Sequence, residues 1–368
     1  KQKTAYEMLR SLVGSEMCIR DRSLNNNLVK KILIVGVGSM GKKYIQIIQD
    51  YYPEITIGVL RSSYLKKDFS GIHSIENIFE SISDAISFSP DAVIFSNPAS
   101  MHVESALPFA KKGVSLFIEK PLSTDYKEAK KLIQICEENK VICMMGYNLR
   151  YLPSLIKFRN LLHEKQVGEI YSVKSEAGSF LPNWRKDSDY RSSVSAQKSL
   201  GGGVLNELSH ELDYIEWIFG SIKWVSATLT KRSNLEINVE DSCNMILGIR
   251  DEKKESDLIA TLNLDFIRHD STRNCLVTGS EGSLSWNGLE GTVKYYPIDG
   301  DSWEILYSND ESMYSTYIEE VNHFFNSIKY NNQPVANGVE GLQTLKVIEA
   351  AKKSSKSGMV ISLNAKKP

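Results

Sequence analysis

The sequence has little of what several classes of protein need. Its 368 residues carry 44 lysines and arginines against 45 aspartates and glutamates. There is thus no basic excess to neutralise a nucleic-acid backbone. No apolar run approaches the roughly 18 residues that a membrane span needs. We therefore expect neither a nucleic-acid nor a membrane partner. The hydrophobic share of 42% and the charged share of 24% are typical of a globular protein.

Cysteine is also scarce. The chain has five: Cys18, Cys136, Cys143, Cys243 and Cys275. None forms a Cys-x-x-Cys pair, and no histidine stands at metal-ligand spacing from any of them. We therefore expect no metal site and no disulfide framework, and we interpret the cysteines as reduced thiols of a cytoplasmic protein.

Residues 1–22 resemble the translated sequencing-adapter read-through seen at the ends of metagenomic gene sequences. We leave them out of the fold prediction, and a natural extension of the chain is the alternative. At roughly 100–200 residues per domain, the remaining length predicts two domains. We place the first at residues 23–147 and the second at residues 148–368.

A glycine-rich turn follows the first predicted strand. The run Lys31–Val35 is apolar and rich in β-branched residues, as a buried parallel strand requires. A G-x-G-x-x-G pattern and then a helical pattern come next. The residues of the turn are Gly36, Gly38, Ser39, Met40 and Gly41. The glycines permit a tight turn, a close approach to pyrophosphate and close packing of helix on strand. The pattern predicts dinucleotide binding, and a glycine turn without a ligand is the alternative.

The second predicted strand, at 55–60, ends in Arg61 and Ser62. An acidic side chain at this point usually holds the ribose 2′-hydroxyl of NAD. Here an arginine followed by a hydroxyl suits a 2′-phosphate instead. We therefore predict NAD(P) as cofactor with a preference for NADP(H), and a plain surface charge at Arg61 is the alternative.

Two further predicted strands, at 91–95 and 114–118, also end in polar residues. Ligands of parallel sheets lie at the carboxyl ends of the strands. The candidate cofactor residues near these ends are Asn97, Pro98, His102, Glu119 and Lys120. For His102 a structural role in its loop is the alternative.

The order of the elements predicts the fold class, α/β. Strands alternate with helices in the first half, which indicates a doubly wound parallel sheet of the Rossmann type. From Glu169 onward longer alternating segments and a hairpin signal around Ser280 predict an α+β domain with an open, mostly antiparallel sheet. The two final helices can pack back on the first domain.

Three motifs together resemble the Gfo/Idh/MocA family, the relatives of glucose–fructose oxidoreductase and inositol dehydrogenase. They are the glycine motif, the tripeptide EKP at Glu119–Pro121, and the run GGGVLNELSHELDY at Gly201–Tyr214. The resemblance extends from about Leu28 to Leu363. It implies an NAD(P)-dependent oxidoreductase whose open sheet builds a homo-oligomer, a dimer or a tetramer.

The resemblance also implies catalytic residues. The family's EKP lysine lies near the nicotinamide and the reacting hydroxyl, which places Lys120 there, and the family's catalytic histidine corresponds to His210. Many members carry an aspartate four residues before that histidine, where this chain has Asn206 with Glu207 beside it. Either of the two could assist the histidine. A histidine suits proton transfer near neutral pH, and a lysine stabilises a developing alkoxide.

Substrate contacts are expected from two segments. The run MGYNLRY at Met145–Tyr151 resembles the family's crossover into the second domain, and the polar, aromatic loop at 181–191 suits a sugar site. The candidate substrate residues are Tyr147, Arg150, Trp184, Arg185, Tyr190 and Arg191. The two loop arginines could hold a phosphate or carboxylate. A surface loop whose tryptophan covers the core is the alternative.

The sequence thus predicts hydride transfer between a nicotinamide cofactor and a hydroxyl or keto carbon of a sugar, nucleotide sugar or cyclitol. The loop at 181–191 also resembles a subgroup associated with surface-polysaccharide sugar biosynthesis. The alternatives are a non-catalytic cofactor- or sugar-binding sensor on the same fold, a different reductase, and a redox-assisted glycosidase.

Overall fold

The computed structural model describes residues 29–61, 75–185, 188–250, 256–310 and 312–363. Residues 1–22 and the cofactor candidate Ser62 lie outside these ranges. Within them, no helix is both long and apolar enough to cross a membrane.

A six-stranded parallel sheet forms the first half, as the sequence predicts. Its strands are β1 (Lys31–Val35), β2 (Thr56–Leu60), β3 (Asn77–Phe79), β4 (Ala92–Phe95), β5 (Ser115–Glu119) and β6 (Cys143–Gly146). Their order is β3-β2-β1-β4-β5-β6. The connecting helices are α1 (Ser39–Tyr51), α2 (Ile82–Ser87), α3 (His102–Ala110) and α4 (Tyr126–Glu138).

Both faces of this sheet are buried, which explains its nearly continuous apolar strands. Side chains alternate across β1, so Ile32 and Ile34 pack with α1 on one face. Leu33 and Val35 pack on the opposite face with residues of α3 and α4. Because these strands are parallel, the turns that follow β1, β4 and β5 all lie at the same edge of the sheet.

The second half builds a nine-stranded sheet. Its strands are β7 (Ile170–Gly178), β8 (Ile222–Thr230), β9 (Ser242–Ile249), β10 (Leu258–Asp265), β11 (Thr272–Gly279), β12 (Gly282–Asn287), β13 (Thr292–Pro297), β14 (Glu304–Ser308) and β15 (Ile361–Ser362). The order is β14-β13-β12-β11-β7-β10-β9-β8-β15. Among the described strands of this sheet, only β7 and β10 pair in parallel, which confirms a mostly antiparallel sheet.

Helices cover one face of the second sheet. They are α5 (Pro153–His163), α6 (Val204–Glu207), α7 (His210–Phe219) and α9 (Gly338–Ser357). The helix α8 (Met313–Tyr330) packs instead against the parallel sheet of the first half. Short 3₁₀ turns occupy Ala99–Met101, Asn148–Tyr151, Leu181–Asn183, Tyr190–Ser192, Val194–Ala196 and Lys198–Leu200. The other face of the sheet is open.

The last two long helices also contact the parallel sheet. Phe324 of α8 packs in the core beside β1 and α1. Leu345 of α9 packs in the core on the opposite face. The Met145 amide donates a hydrogen bond of 2.8 Å to the carbonyl of Ala336, which lies between these helices. The boundary between the domains at residue 147 stays a prediction.

Arg150 corrects one sequence expectation. Its side chain is 2% exposed, and it donates from Nε and Nη2 to the two carboxylate oxygens of Asp213 at 2.9 and 2.7 Å. Nη1 contacts Glu340 and the carbonyl of Val335. The prediction that Arg150 contacts substrate is therefore wrong, because all its donor nitrogens serve this buried network.

Arg150→Ala should destabilise the fold strongly. Removing one partner of a buried pair leaves the other charge without compensation, at a cost of about 3–5 kcal/mol. Urea unfolding measures the change. Arg191→Ala is the matched control, because that arginine pairs at the surface. A loss in Arg150→Ala no larger than in the control would contradict the role given to the buried pair.

Candidate active site

The glycine turn after β1 packs as its sequence predicts. Gly36 has φ +89°, and a Cβ there would lie 2.8 Å from the amide nitrogen of Asn97. A Cβ on Gly41 would lie 2.1 Å from the carbonyl oxygen of Gly36. Both positions therefore require glycine, one for its backbone angle and both for the close approach of neighbouring backbone.

The start of α1 fits a phosphate-bearing cofactor. Ser39 is exposed there, and the helix has neither a side-chain cap nor an acidic residue in its first turn. A Cβ on Gly38 would meet no protein atom within 4 Å. The Met40 side chain is half-buried and packs against the core. Open backbone N–H groups at a helix N-terminus are a ready anion site.

Arg61 lies at the carboxyl end of β2. Its amide donates to the carbonyl of Phe79 at 3.0 Å, and its side chain is half-buried. The amide of Gly36 bonds to the carbonyl of Leu60, the residue before Arg61, at 3.0 Å. The end of β2 therefore adjoins the glycine turn, where a ribose of the cofactor belongs.

The loop after β4 is held by His102. This side chain is 1% exposed, and its two ring nitrogens lie 2.8 Å from the carbonyl of Asn97 and 3.0 Å from that of Pro121. Burial lowers the pKa of His102 to about 4. The structure thus corrects its prediction as a cofactor contact: the buried ring lies between the carbonyls of two loops, and as a neutral imidazole it donates to one of them. Pro98 is half-buried beside Asn97 at the strand end.

Glu119 also has a structural contact. It is 8% exposed, and its Oε1 lies 2.5 Å from the Tyr44 hydroxyl of α1. The same hydroxyl lies 3.2 Å from Oε2 of Glu320, which is fully buried. Burial raises the pKa of both carboxyls. The side chain of Glu119 is therefore directed into the protein under the loop, which corrects its prediction as a cofactor contact.

Lys120 and His210 lie at one site. The Lys120 ammonium donates to the carbonyl of Glu207 at 3.0 Å and lies 3.5 Å from its carboxylate. His210 begins α7 and is half-buried. Burial, and then the positive charges of Lys120 and Arg273, hold the pKa of His210 well below its usual value. The imidazole is therefore neutral at neutral pH and able to accept a proton.

The structure gives the neighbouring side chains of Asn206 and Glu207 different contacts. Asn206 is 3% exposed, donates to the carbonyls of Gly201 and Gly202, and accepts from Lys352 at 3.1 Å. The helix breaks between Glu207 and His210, so Asn206 does not share a face with the histidine. The structure corrects the prediction of Asn206 as catalytic, while Glu207 contacts Lys120.

Tyr147 lies beside the site without opening to it. Its ring is fully buried and meets the His210 ring edge-on, with centroids 5.7 Å apart. Burial raises the pKa of its hydroxyl. This geometry corrects the prediction of a substrate contact, and Tyr147 instead supports one side of the imidazole.

The loop at 181–191 makes local contacts. Trp184 packs against Phe266 and donates to the carbonyl of Ser179, as a tryptophan that covers the core would do. The Tyr190 hydroxyl accepts from the amide of Glu236 at 3.1 Å. In the described part of this loop, none of these contacts joins Lys120 or His210. Trp184 and Tyr190 therefore support the loop, and a contact of either with substrate stays a prediction.

The two loop arginines are exposed. Arg191 pairs with Asp189 and Glu236, each at 2.9 Å, and its side chain is 53% exposed. Arg185 lies at the surface beside two residues outside the described ranges. Two nitrogens of the Arg191 guanidinium, Nε and Nη1, are thus engaged in surface ion pairs, and a substrate role for Arg185 and Arg191 stays a prediction.

Four residues near the site, in two contacting pairs, were missed from the sequence. The Lys43 ammonium lies 3.7 Å from the ring centroid of Tyr317 on α8. Arg273 of β11 donates from Nε to Glu211, the residue after His210, at 2.7 Å. The one available signal was Glu211 itself, a carboxylate amid apolar residues on a helix, which requires a cationic partner.

Comparison with known proteins places the chain in a family. The family profile described as an oxidoreductase family with an NAD-binding Rossmann fold matches residues 30–147. The profile described as the C-terminal alpha/beta domain of the oxidoreductase family matches residues 159–363, more than half of the chain. The chain belongs to the Gfo/Idh/MocA oxidoreductase family.

Individual members of the Gfo/Idh/MocA family are distant in sequence. A scyllo-inositol 2-dehydrogenase (NAD(+)) of Bacillus subtilis is 23% identical over 75% of this chain and 79% of its own length. A levoglucosan dehydrogenase of Pseudarthrobacter phenanthrenivorans is also 23% identical, over 60% of this chain, which spans 59% of that enzyme's length.

One solved structure shows the same fold. The WlbA dehydrogenase of Bordetella pertussis, in complex with NADH and UDP-GlcNAcA, superposes with a TM-score of 0.73 and 20% identity. The superposition covers 90% of this chain and 98% of that one.

Two alanine variants separate the roles of the glycines. Gly38→Ala should leave the melting temperature unchanged, because its Cβ meets no protein atom, yet weaken NADH binding by on the order of tenfold, because the methyl group occupies space that the phosphates need. Gly41→Ala should lower the melting temperature, because its Cβ would clash with Gly36. Thermal unfolding and NADH titration measure both effects. A Gly38→Ala variant that binds NADH normally would contradict the cofactor site.

Proposed function

We propose that this protein is an NAD(P)-dependent dehydrogenase that acts on a secondary hydroxyl of a sugar, nucleotide sugar or cyclitol. One observation carries the proposal. The Lys120 ammonium and a neutral His210 lie together at the edge where the parallel strands end, on the same edge as the glycine turn.

The two side chains divide the work of alcohol oxidation. When bound, the nicotinamide supplies the acceptor for hydride. His210 accepts the hydroxyl proton, because burial and nearby positive charge keep its imidazole unprotonated. Lys120 stabilises negative charge on the substrate oxygen, and Glu207 holds the lysine in place. In the direction of reduction the same groups return the proton.

The class of substrate rests on the family members. Those compared above are named for inositol and levoglucosan, and a third is in complex with a nucleotide sugar. All of these are polyhydroxylated rings. A ring of this kind offers several secondary hydroxyls, so the pair formed by Lys120 and His210 would select the position that reacts.

The preference for NADP(H) remains part of the proposal. Arg61 lies at the end of β2, beside the glycine turn, and a guanidinium there suits a 2′-phosphate. Steady-state oxidation with both cofactors tests this. A higher kcat/KM with NADP⁺ supports the role of Arg61, and a clear preference for NAD⁺ contradicts it.

We also propose a homo-oligomer, a dimer or tetramer, built on the open face of the nine-stranded sheet. Ile246 and Ile259 lie on this face and are 46% and 38% exposed. Pairing the faces of two copies would bury such residues. Sedimentation of a monomer at micromolar concentration would contradict this.

The cysteines bear on where the protein is found. The four buried free thiols of the described residues support a reducing, cytoplasmic location, which cell fractionation tests.

His210→Gln and Lys120→Met should each reduce turnover by about 10²–10⁴-fold, since each removes a group that acts on the reacting hydroxyl. A screen of free and nucleotide-linked sugars, read at the nicotinamide absorbance, identifies the substrate on which the variants are compared. NADH titration should show cofactor binding unchanged.

Lys131→Met is the control, because Lys131 pairs with Glu128 at the surface. Turnover of either active-site variant near the level of this control would overturn the assignment of that residue.

A further inference from the structure

Two arginines pair with neighbouring acidic residues of α7, the helix that begins with His210. Arg150 pairs with Asp213 and Arg273 pairs with Glu211. Both acids are essentially inaccessible to solvent, with 1% and 0% exposure. The two pairs are therefore alike in composition and in the burial of the acid. They differ in how many nitrogens of each arginine have a hydrogen-bond partner.

Arg150 uses all its nitrogens. Nε and Nη2 bind Asp213, and Nη1 binds Glu340 and the carbonyl of Val335. In Arg273 only Nε is engaged, by Glu211 at 2.7 Å, and the described parts of the chain provide no further hydrogen-bond or ion-pair partner. Four of the five N–H donors of this guanidinium therefore remain for something else.

Arg273 lies on the side of the sheet where the reaction would take place. Along β11 the side chains alternate, so that Cys275 packs in the core and Asn274 faces the open side of the sheet. Arg273 shares the face of Cys275 and is 16% exposed. Its charge acts on His210 and on Tyr317. The guanidinium is thus half-buried within electrostatic reach of the catalytic histidine.

The Nη atoms of Arg273 are not among the buried, unpartnered polar atoms of the described residues, so a ligand can reach them. Glu211 fixes the side chain through one nitrogen and leaves the two Nη groups as a planar fork. Such a fork matches the two oxygens of a carboxylate or of a phosphate. Arg273 therefore has the form of a receptor for an oxyanion, with Glu211 as its positioning residue.

We propose that Arg273 binds an oxyanion substituent, a carboxylate or a phosphate, on the substrate whose hydroxyl reacts at Lys120 and His210. The inference rests on the dehydrogenase function proposed above and narrows the substrate to acidic sugars. It differs from the expectation that Arg185 and Arg191 of the loop at 181–191 do this; both are exposed, and Arg191 is paired at the surface.

Three matched probes test the inference: D-glucose, D-glucuronate and D-glucose 6-phosphate. Their dissociation constants are measured with the full chain from the fluorescence of bound NADH, which needs no turnover. We expect at least one anionic probe to bind about 10–100-fold more tightly than glucose. Preference for glucuronate assigns a carboxylate, and preference for the phosphate ester assigns a phosphate.

Variants then locate the effect. Arg273→Gln should bring the ratio of the dissociation constants for neutral and anionic probes close to one, and Arg273→Lys should restore it only in part, because an ammonium lacks the fork. The double variant Arg273→Gln with Glu211→Gln avoids an unpaired buried carboxylate and should give the same ratio. Arg232→Gln, at an exposed position, is the control and should keep the wild-type ratio.

The ratio of the dissociation constants for neutral and anionic probes does not depend on how much of a variant is folded, because both constants are measured on the same folded fraction. Wild-type protein that does not prefer either anionic probe, or a ratio unchanged in Arg273→Gln, overturns the inference. The proposed function fails separately, if NADH does not bind or no sugar in the broader screen is oxidised. Oxidation of sugars by the wild type, together with a preference for the anionic probes that Arg273→Gln leaves unchanged, would retain the function and reject the oxyanion site.

Discussion

The contact between the Lys120 ammonium and Glu207 is the interaction on which the site depends. Lys120 follows the last residue of β5 in the parallel sheet, and Glu207 ends α6 in the second half of the chain. One bond thus joins the edge where cofactor binds to the segment that carries the histidine. Burial, and then this same positive charge, keep His210 unprotonated, so Lys120 contributes both to the arrangement of the site and to the proton affinity of the histidine.

Buried charge holds the helix of His210 in place. Tyr147 packs against one side of the imidazole, and the ion pairs of Asp213 and Glu211 lie one turn and one residue beyond it. Buried pairs contribute little net stability, but they penalise any arrangement that separates them. They therefore fix the direction from which His210 approaches the edge of the parallel sheet.

Local signals in the sequence were sufficient for the parallel sheet, the glycine turn, and the family resemblance carried by Lys120 and His210. The failures have long-range causes. Arg273 lies 62 residues from Glu211, and no pattern of spacing joins them. Asn206 was misplaced because the helix breaks before His210. For Trp184, a tryptophan in a polar loop is the sequence pattern both of a side chain that covers the core and of one that contacts a sugar.

The central claim is that Lys120 and His210 form one electrostatic unit. The most direct test is the pH dependence of kcat/KM for alcohol oxidation in the wild-type protein and in Lys120→Gln. In the wild type, activity should fall only well below the ordinary histidine pKa of about 6.5, because burial and the Lys120 charge oppose protonation. In the variant, the residual activity should fall at higher pH. A wild-type acid limb at or above 6.5, or one that does not move in the variant, would contradict the account.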